Sequence, residues 1–181
     1  MTGRLVALLR GINVGRARRV AMADLRSLVS GLGYRDVATV LNSGNVVFTA
    51  PGVAPGDAAA AIEGALVAIL GVRARVTVLT AADLADAVRD NPLVAVAADP
   101  SRLLLAFLTD PADRPVLVPF LAQDWSPETL ALGGRVAYLW CPAGVLASRL
   151  PEAVGRALGD AVTTRNWATV TKLHTLAAGP W

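Results

Sequence analysis

The chain has 181 residues, of which 54% are hydrophobic and only 17% charged, enough apolar material for one domain or two small ones and too much for a disordered chain. No stretch reaches the ~18 uninterrupted apolar residues of a membrane-spanning helix, and the run Leu5–Leu9, closed by Arg10, is too short for the core of a secretion signal; a cytoplasmic protein without membrane contact is expected. The net charge of +3 is unevenly placed: residues 1–80 carry nine Arg against four acids, whereas residues 81–181 carry seven Arg and Lys172 against ten acids. The basic excess therefore belongs to the first half and points to an anionic partner.

In chain order, Arg4–Leu9 is a short apolar run that predicts a buried strand, followed by a glycine-punctuated loop from Gly11 to Arg19. Met22, Leu25, Leu28 and Val29 recur at helical spacing and are stopped by Gly31 and Gly33. Val37–Leu41 and Val46–Thr49 are predicted strands around the turn Asn42-Ser43-Gly44-Asn45. Asp57 is placed to cap a helix over Ala58–Leu70, and Arg75–Leu79 is the next strand. This β-α-β-β-α-β order is the ferredoxin-like split βαβ arrangement with an antiparallel sheet. Thr80 then caps a helix over Ala81–Arg89, ended by Asn91-Pro92. A strand at Arg102–Leu108, a helix at Pro115–Gln123 opened by Asp113, and a hairpin of Leu130–Leu132 and Val136–Trp140 come next. A helix at Glu152–Leu158 sits behind Pro151, and a last helix runs from about Asn166 to Ala177. The expected class is α+β, with one ferredoxin-like subdomain over 1–80 and a second α+β plait over 81–181.

The residue inventory excludes several chemistries. Cys141 and His174 are single, so an internal disulfide, a Cys-rich zinc site and a His-pair metal centre are all ruled out. Lys172, the only lysine, has no P-loop around it, and Gly11-Ile-Asn-Val-Gly15 is not a dinucleotide fingerprint. No metal or cofactor is expected. Cys141 has no evident base to make it a nucleophile.

Topology supplies a candidate site. In a βαββαβ sheet of order 4-1-3-2, the loop leaving strand 1, the tip between strands 2 and 3, and the segment leading into strand 4 share one end. Residues 10–19, 42–45 and 71–75 therefore converge, bringing Arg10, Arg16, Arg18, Arg19, Arg73 and Arg75 together. Guanidiniums beside a helix start suit phosphate or carboxylate. Gly11, Gly15 and Gly44 also have a purely structural explanation as turn residues, and Asn13, Asn42 and Asn45 as braces of those turns. Near the C-terminus, helical spacing puts Arg165, Thr169 and Lys172 on one side if the helix includes Arg165, with Trp167, Val170 and His174 opposite. That segment reads either as a helix docking Trp167 into the core or as further anion ligands.

Leu8-Leu-Arg-Gly-Ile-Asn-Val-Gly15, Asn42-Ser-Gly-Asn-Val-Val-Phe48, Asn91-Pro92 and Thr164-Arg-Asn-Trp-x-Thr-Val-x-Lys-Leu173 resemble the bacterial family called domain of unknown function 1697. The resemblance runs from the first strand to the last helix. It implies two α-β plait subdomains and no established activity, and it singles out Arg10, Gly11, Asn13, Gly15, Ser43, Gly44, Asn45, Arg165, Asn166, Trp167 and Lys172. The chain departs from the family at Arg16-Ala-Arg-Arg19, where Gly-Lys-rich residues are usual.

The leading expectation is a protein that binds a phosphate-bearing small molecule or a nucleic-acid backbone at the basic edge. Its candidate ligands are Arg10, Gly11, Asn13, Gly15, Arg18, Ser43, Asn45, Arg165, Asn166 and Lys172. An enzyme acting on an anionic small substrate is the alternative, weakened by the lack of paired carboxylates near the motifs. A structural or protein-interaction module is the third. Base-stacking recognition is disfavoured, because the strand faces of the first half offer only Phe48.

Overall fold

The computed structural model describes residues 3–13 and 19–180. In it β1 (Arg4–Arg10) is buried at its five central positions, as a strand without polar alternation must be when both of its faces are covered. It pairs antiparallel with β3 (Asn45–Thr49) on one side and β4 (Arg75–Thr80) on the other. β2 (Arg35–Thr39) pairs with β3, giving the order β2-β3-β1-β4 that the sequence predicts. α1 (Met22–Gly31) and α2 (Pro55–Leu70) lie between strands. They bring Leu25, Leu28 and Val29, and Ala58, Ile62 and Leu66, onto the face formed by Leu5, Ala7, Leu9, Val46, Phe48, Val76 and Val78. The alternate positions Val6, Leu8, Val47 and Leu79 are fully buried as well.

The second half repeats the pattern. β5 (Leu103–Leu108), β6 (Thr129–Leu132), β7 (Val136–Trp140) and β8 (Val162–Asn166) form an antiparallel sheet of order β6-β7-β5-β8. α4 (Leu150–Leu158) connects β7 to β8, and its Leu150, Val154 and Leu158 join Leu104, Ala106, Leu108, Ala137 and Leu139 in a second core. The fold is two ferredoxin-like halves. By its packing the chain divides into Met1–Leu84 with Lys172–Trp181, and Ala85–Thr171. The first of these units is closed by Arg4, whose Nη1 donates to the carbonyls of Ala177 (2.9 Å) and Gly179 (2.6 Å). A guanidinium satisfies the last carbonyls of a helix well.

Local differences from the sequence reading have physical causes. The helix expected at Pro115–Gln123 is a 3₁₀ segment over Pro111–Ala122, opened by Asp110, whose side chain accepts from Ala112 N–H at 2.9 Å, and not by Asp113. Pro115 and Pro119 remove two N–H donors and crowd the preceding carbonyls, so an α-helix cannot propagate. α2 starts at Pro55, in whose first turn Asp57 lies without capping, since proline is pre-set for a helix start. β2 ends at Thr39 and not Leu41, because Leu41 takes φ 58°, a left-handed conformation that breaks the extended chain; within the strand the ladder shifts between Arg35 and Ala38, where Asp36 takes φ 52°. Val162–Asn166 is a strand, so α5 (Trp167–Ala178) begins after Arg165 and not around it. The expected cap of α3 (Ala81–Arg89) is present as a reciprocal pair: Asp83 N–H donates to Thr80 Oγ1 (3.0 Å) and Thr80 N–H to Asp83 Oδ2 (2.8 Å).

Candidate functional site

The loop leaving β1 is built against the β2–β3 tip. Leu9 N–H donates to the Gly44 carbonyl at 2.8 Å. Gly44 has φ 79°, and a Cβ there would lie 2.8 Å from both Leu9 Cβ and Ile12 Cδ1, so conformation and space each demand glycine. Asn13, itself at φ 55°, ties three segments with one amide. Its Nδ2 donates to the carbonyls of Val20 (2.9 Å) and Asn42 (2.7 Å), and its Oδ1 accepts from Val20 N–H (2.8 Å). Val20 immediately precedes the start of α1, whose N-cap residue Ala21 has no side-chain acceptor of its own. Asn45 is fully buried and donates to Val40 O and Ser43 Oγ, both at 2.8 Å. Asn13, Ser43 and Asn45 thus hold the walls of this edge in place.

The basic groups stand at the end of the β1–β4 ladder. Arg10 is paired directly opposite Arg75, which puts the two Cβ atoms about 5 Å apart in an antiparallel sheet. Beside this pair is a cleft of about 310 Å³, lined among the described residues by Gly11, Gly71, Val72 and Arg73. Gly71 ends α2 in the left-handed conformation, φ 62°, and Gly11 takes φ 76° with open space where a side chain would stand. Arg19, Arg73 and Arg75 are exposed and Arg10 half-buried. Glu63 of α2 reaches the same end: its Oε1 accepts from Val76 N–H at 2.8 Å, and its Oε2 lies 3.4 Å from Arg75 Nη1. Of the expected site, Gly15, Arg16 and Arg18 lie outside the described residues.

The C-terminal candidates divide. Arg165 stands opposite Leu105 in the β5–β8 ladder and its Nη1 donates to Thr164 O at 2.9 Å. Burial pushes its guanidinium down to about 10, which leaves it charged at neutral pH. Asn166 caps α5, its Oδ1 accepting from Thr169 N–H at 2.9 Å. Lys172 is exposed on α5, but Thr169 is buried, so Arg165, Thr169 and Lys172 do not form the helical polar stripe that spacing suggested. Cys141 is fully buried, and burial pushes its thiol up; the Ser148 hydroxyl opposes that shift and the Glu128 charge adds to it. A thiol so placed is no nucleophile at neutral pH.

Sequence reasoning missed two features. Glu63 sits mid-helix, and nothing in its neighbours marks it as the partner of β4. Glu128 is buried against α4, accepting from Arg149 N–H and Leu150 N–H at 2.8 Å each, a carboxylate at a helix start with no local capping signature. Next to it, a cleft of about 230 Å³ is lined by Phe120, Asp124, Trp125 and Glu128 among others. Trp125 there donates to Phe120 O at 2.8 Å and carries the Arg149 guanidinium 5.8 Å from its ring centre. Among the described residues no His, Cys, Asp and Glu side chains gather as a metal site, and no helix is long and apolar enough to cross a membrane.

No curated protein matches the chain. A solved structure, that of the conserved bacterial protein SP0830 from Streptococcus pneumoniae, is similar with a TM-score of 0.78 at 22% identity, covering 96% of this chain and 98% of that one. At that identity the likeness carries the two-plait fold and nothing about a ligand. The family model described as a protein of unknown function, DUF1697, matches residues 1–138, a span that contains the whole braced edge from Arg10 to Arg75. The chain belongs to the DUF1697 family.

Proposed function

We propose that the protein binds a phosphate-bearing anion at the basic end of its first sheet, between the loop after β1 and the segment leading into β4. The observation that carries this reading is the register that sets Arg10 directly against Arg75 beside an open cleft. Residues directly opposite in an antiparallel ladder lie on the same face, so both guanidiniums can donate to one anion. Guanidiniums are the side chains suited to that task. Asn13, Gly44 and Asn45 fix residues 10–13 and the β2–β3 tip against each other, so little ordering cost remains in these segments for the ligand to offset.

Nucleic-acid recognition by base stacking is poorly supported. Phe48, the aromatic residue on these strands, is fully buried and stacked on Tyr34 with ring centres 4.9 Å apart. Positions on the other face of the sheet, Val6, Leu8, Val47 and Leu79, are buried too, so there is no open platform for bases.

The test is the melting temperature of the chain against phosphate, mononucleotides, sugar phosphates and short oligonucleotides at low and physiological salt. A ligand at a hundredfold excess over its Kd stabilises by about 2.7 kcal/mol, a rise of roughly 5–10 °C for a chain of this size. The rise is expected to be salt-sensitive and absent in Arg10→Ala. A panel without response, or a response that Arg10→Ala retains in full, refutes the site.

A further inference from the structure

We propose that the open edge of the second sheet is a self-association surface, on which β6 pairs antiparallel with β6 of a second copy of this chain. β6 is the outer strand of the order β6-β7-β5-β8. Gly133 N–H donates to Val136 O at 2.8 Å, and Leu132 stands against Ala137, which fixes the pairs that exchange hydrogen bonds. These are Ala131 with Tyr138 and Thr129 with Trp140, so Leu130 and Leu132 turn their N–H and C=O groups away from β7. Among the described residues no group of the chain bonds to them. Edges are commonly blocked by charges, bulges or capping side chains. β2 has Arg35, Asp36 and a register shift, and on β4 the Val76 N–H is taken by Glu63. Thr129-Leu-Ala-Leu132 has no charge, no proline and no register shift.

The strand is complementary to itself. A two-fold axis at Ala131 sets Leu130 of one copy against Leu132 of the other, and each such pair exchanges two hydrogen bonds. On the axis Ala131 meets its own copy in a non-hydrogen-bonded pair, where Cα atoms come within about 4.5 Å and only a small side chain fits easily. Thr129 falls opposite Gly133, which has no side chain to clash, and no like charges meet between these positions. Apolar surface flanks the same edge. Leu117 and Phe120 of the 3₁₀ segment join Leu130 and Leu132 in the second core, while Val116, Val118 and Leu121 stay 44%, 44% and 51% exposed. Leu121 lines the cleft of about 230 Å³ together with Thr129 and Leu130, which puts it beside the open strand. An axis perpendicular to the sheet keeps both 3₁₀ segments on one face, so their exposed side chains supply the apolar area that so short a ladder lacks.

Sedimentation of the full chain from about 1 to 200 μM, the range in which a modest interface associates, tests this together with residue-resolved amide hydrogen exchange. The mass is expected to rise from 18.7 kDa toward twice that value. Over the same range, exchange at the Leu130 and Leu132 amides is expected to slow about threefold or more, as dimer formation depletes the monomer. The Thr129 and Ala131 amides, already bonded to β7, are expected to change less. Ala131→Glu and Ala131→Lys each set like charges face to face on the axis and are expected to be monomeric, whereas their equimolar mixture is expected to dimerise. A wild-type chain that stays monomeric throughout overturns the inference. A dimer in which Leu130 and Leu132 exchange independently of concentration overturns it too, since the contact then lies elsewhere. So does a dimer that survives in both single variants. Where a variant fails to fold, the two wild-type amides decide alone.

Discussion

The two sheets share one strand order, yet the corresponding ends of their first strands are finished in opposite ways. In the first sheet the β1–β4 ladder ends on Arg10 against Arg75; in the second the β5–β8 ladder ends on Leu108 against Val162. The hairpin tips differ in the same sense. In the second sheet guanidiniums do the bracing: Arg114 Nε donates to Gly133 O at 2.7 Å, and Arg135 donates to Leu108 O at 3.0 Å and Thr109 O at 2.9 Å. In the first, a neutral amide, Asn13, ties the loop to the tip. Where arginine serves the fold here it binds backbone carbonyls, and an apolar pair suffices to close the ladder. A like-charged pair at the equivalent place in the first sheet is thus not required by the topology, and this is what gives the basic edge its weight.

The largest expected effect concerns the two tip glycines. Gly44→Ala would force a positive φ on alanine and drive its Cβ to 2.8 Å from Leu9 Cβ, which belongs to a buried strand residue that cannot move aside. A loss of about 2–4 kcal/mol in denaturant unfolding is expected, with loss of any anion response. Gly133→Ala meets atoms farther out on their side chains, Val136 Cγ1 at 2.9 Å and Tyr138 Cε2 at 3.2 Å, and imposes no positive φ. It is expected to cost about 1–2 kcal/mol. Equal costs would mean that the first tip is no more constrained than the second.

Next in size is the brace itself. Asn13→Ala removes three hydrogen bonds and is expected to cost about 1–3 kcal/mol. Because it loosens the loop beside the cleft, it is expected to weaken anion binding as well. Arg135→Ala is expected to cost a similar amount and to leave anion binding untouched. Anion binding that survives Asn13→Ala undiminished would sever the link between loop order and the site.

The sequence made the first sheet and its convergent end legible because both follow from element order: two apolar strands around Ser43-Gly44, a helix on either side, and a fixed topology. It did not make the second half as legible. Val162-Thr-Thr-Arg-Asn166 has no apolar alternation beyond its first residue and runs straight into a helix, so its strand character depends on pairing with β5. The prolines at 115 and 119 carry their message, but as a helix of a different kind. Within the site, arginine positions follow from topology, whereas the roles of Asn13 and Glu63 depend on partners at Val20, Asn42 and Val76, which spacing alone does not reveal.

The smallest expected stability change carries the most information. Replacing Arg10 by Leu and Arg75 by Val rebuilds the first ladder end in the image of Leu108 and Val162. The exchange removes a like-charge pair, worth roughly 0.2–1 kcal/mol of destabilisation. It also removes the exposed contact between Arg75 and Glu63 and the interaction that Arg10 makes, together worth about 1–2 kcal/mol. The double variant should therefore melt within a few degrees of the wild type, while phosphate no longer raises its melting temperature. A residue pair that costs little to remove and abolishes binding is kept for a ligand. If the exchange instead unfolds the first sheet, the two arginines belong to its architecture, and the contrast between the two ladder ends is one of packing alone.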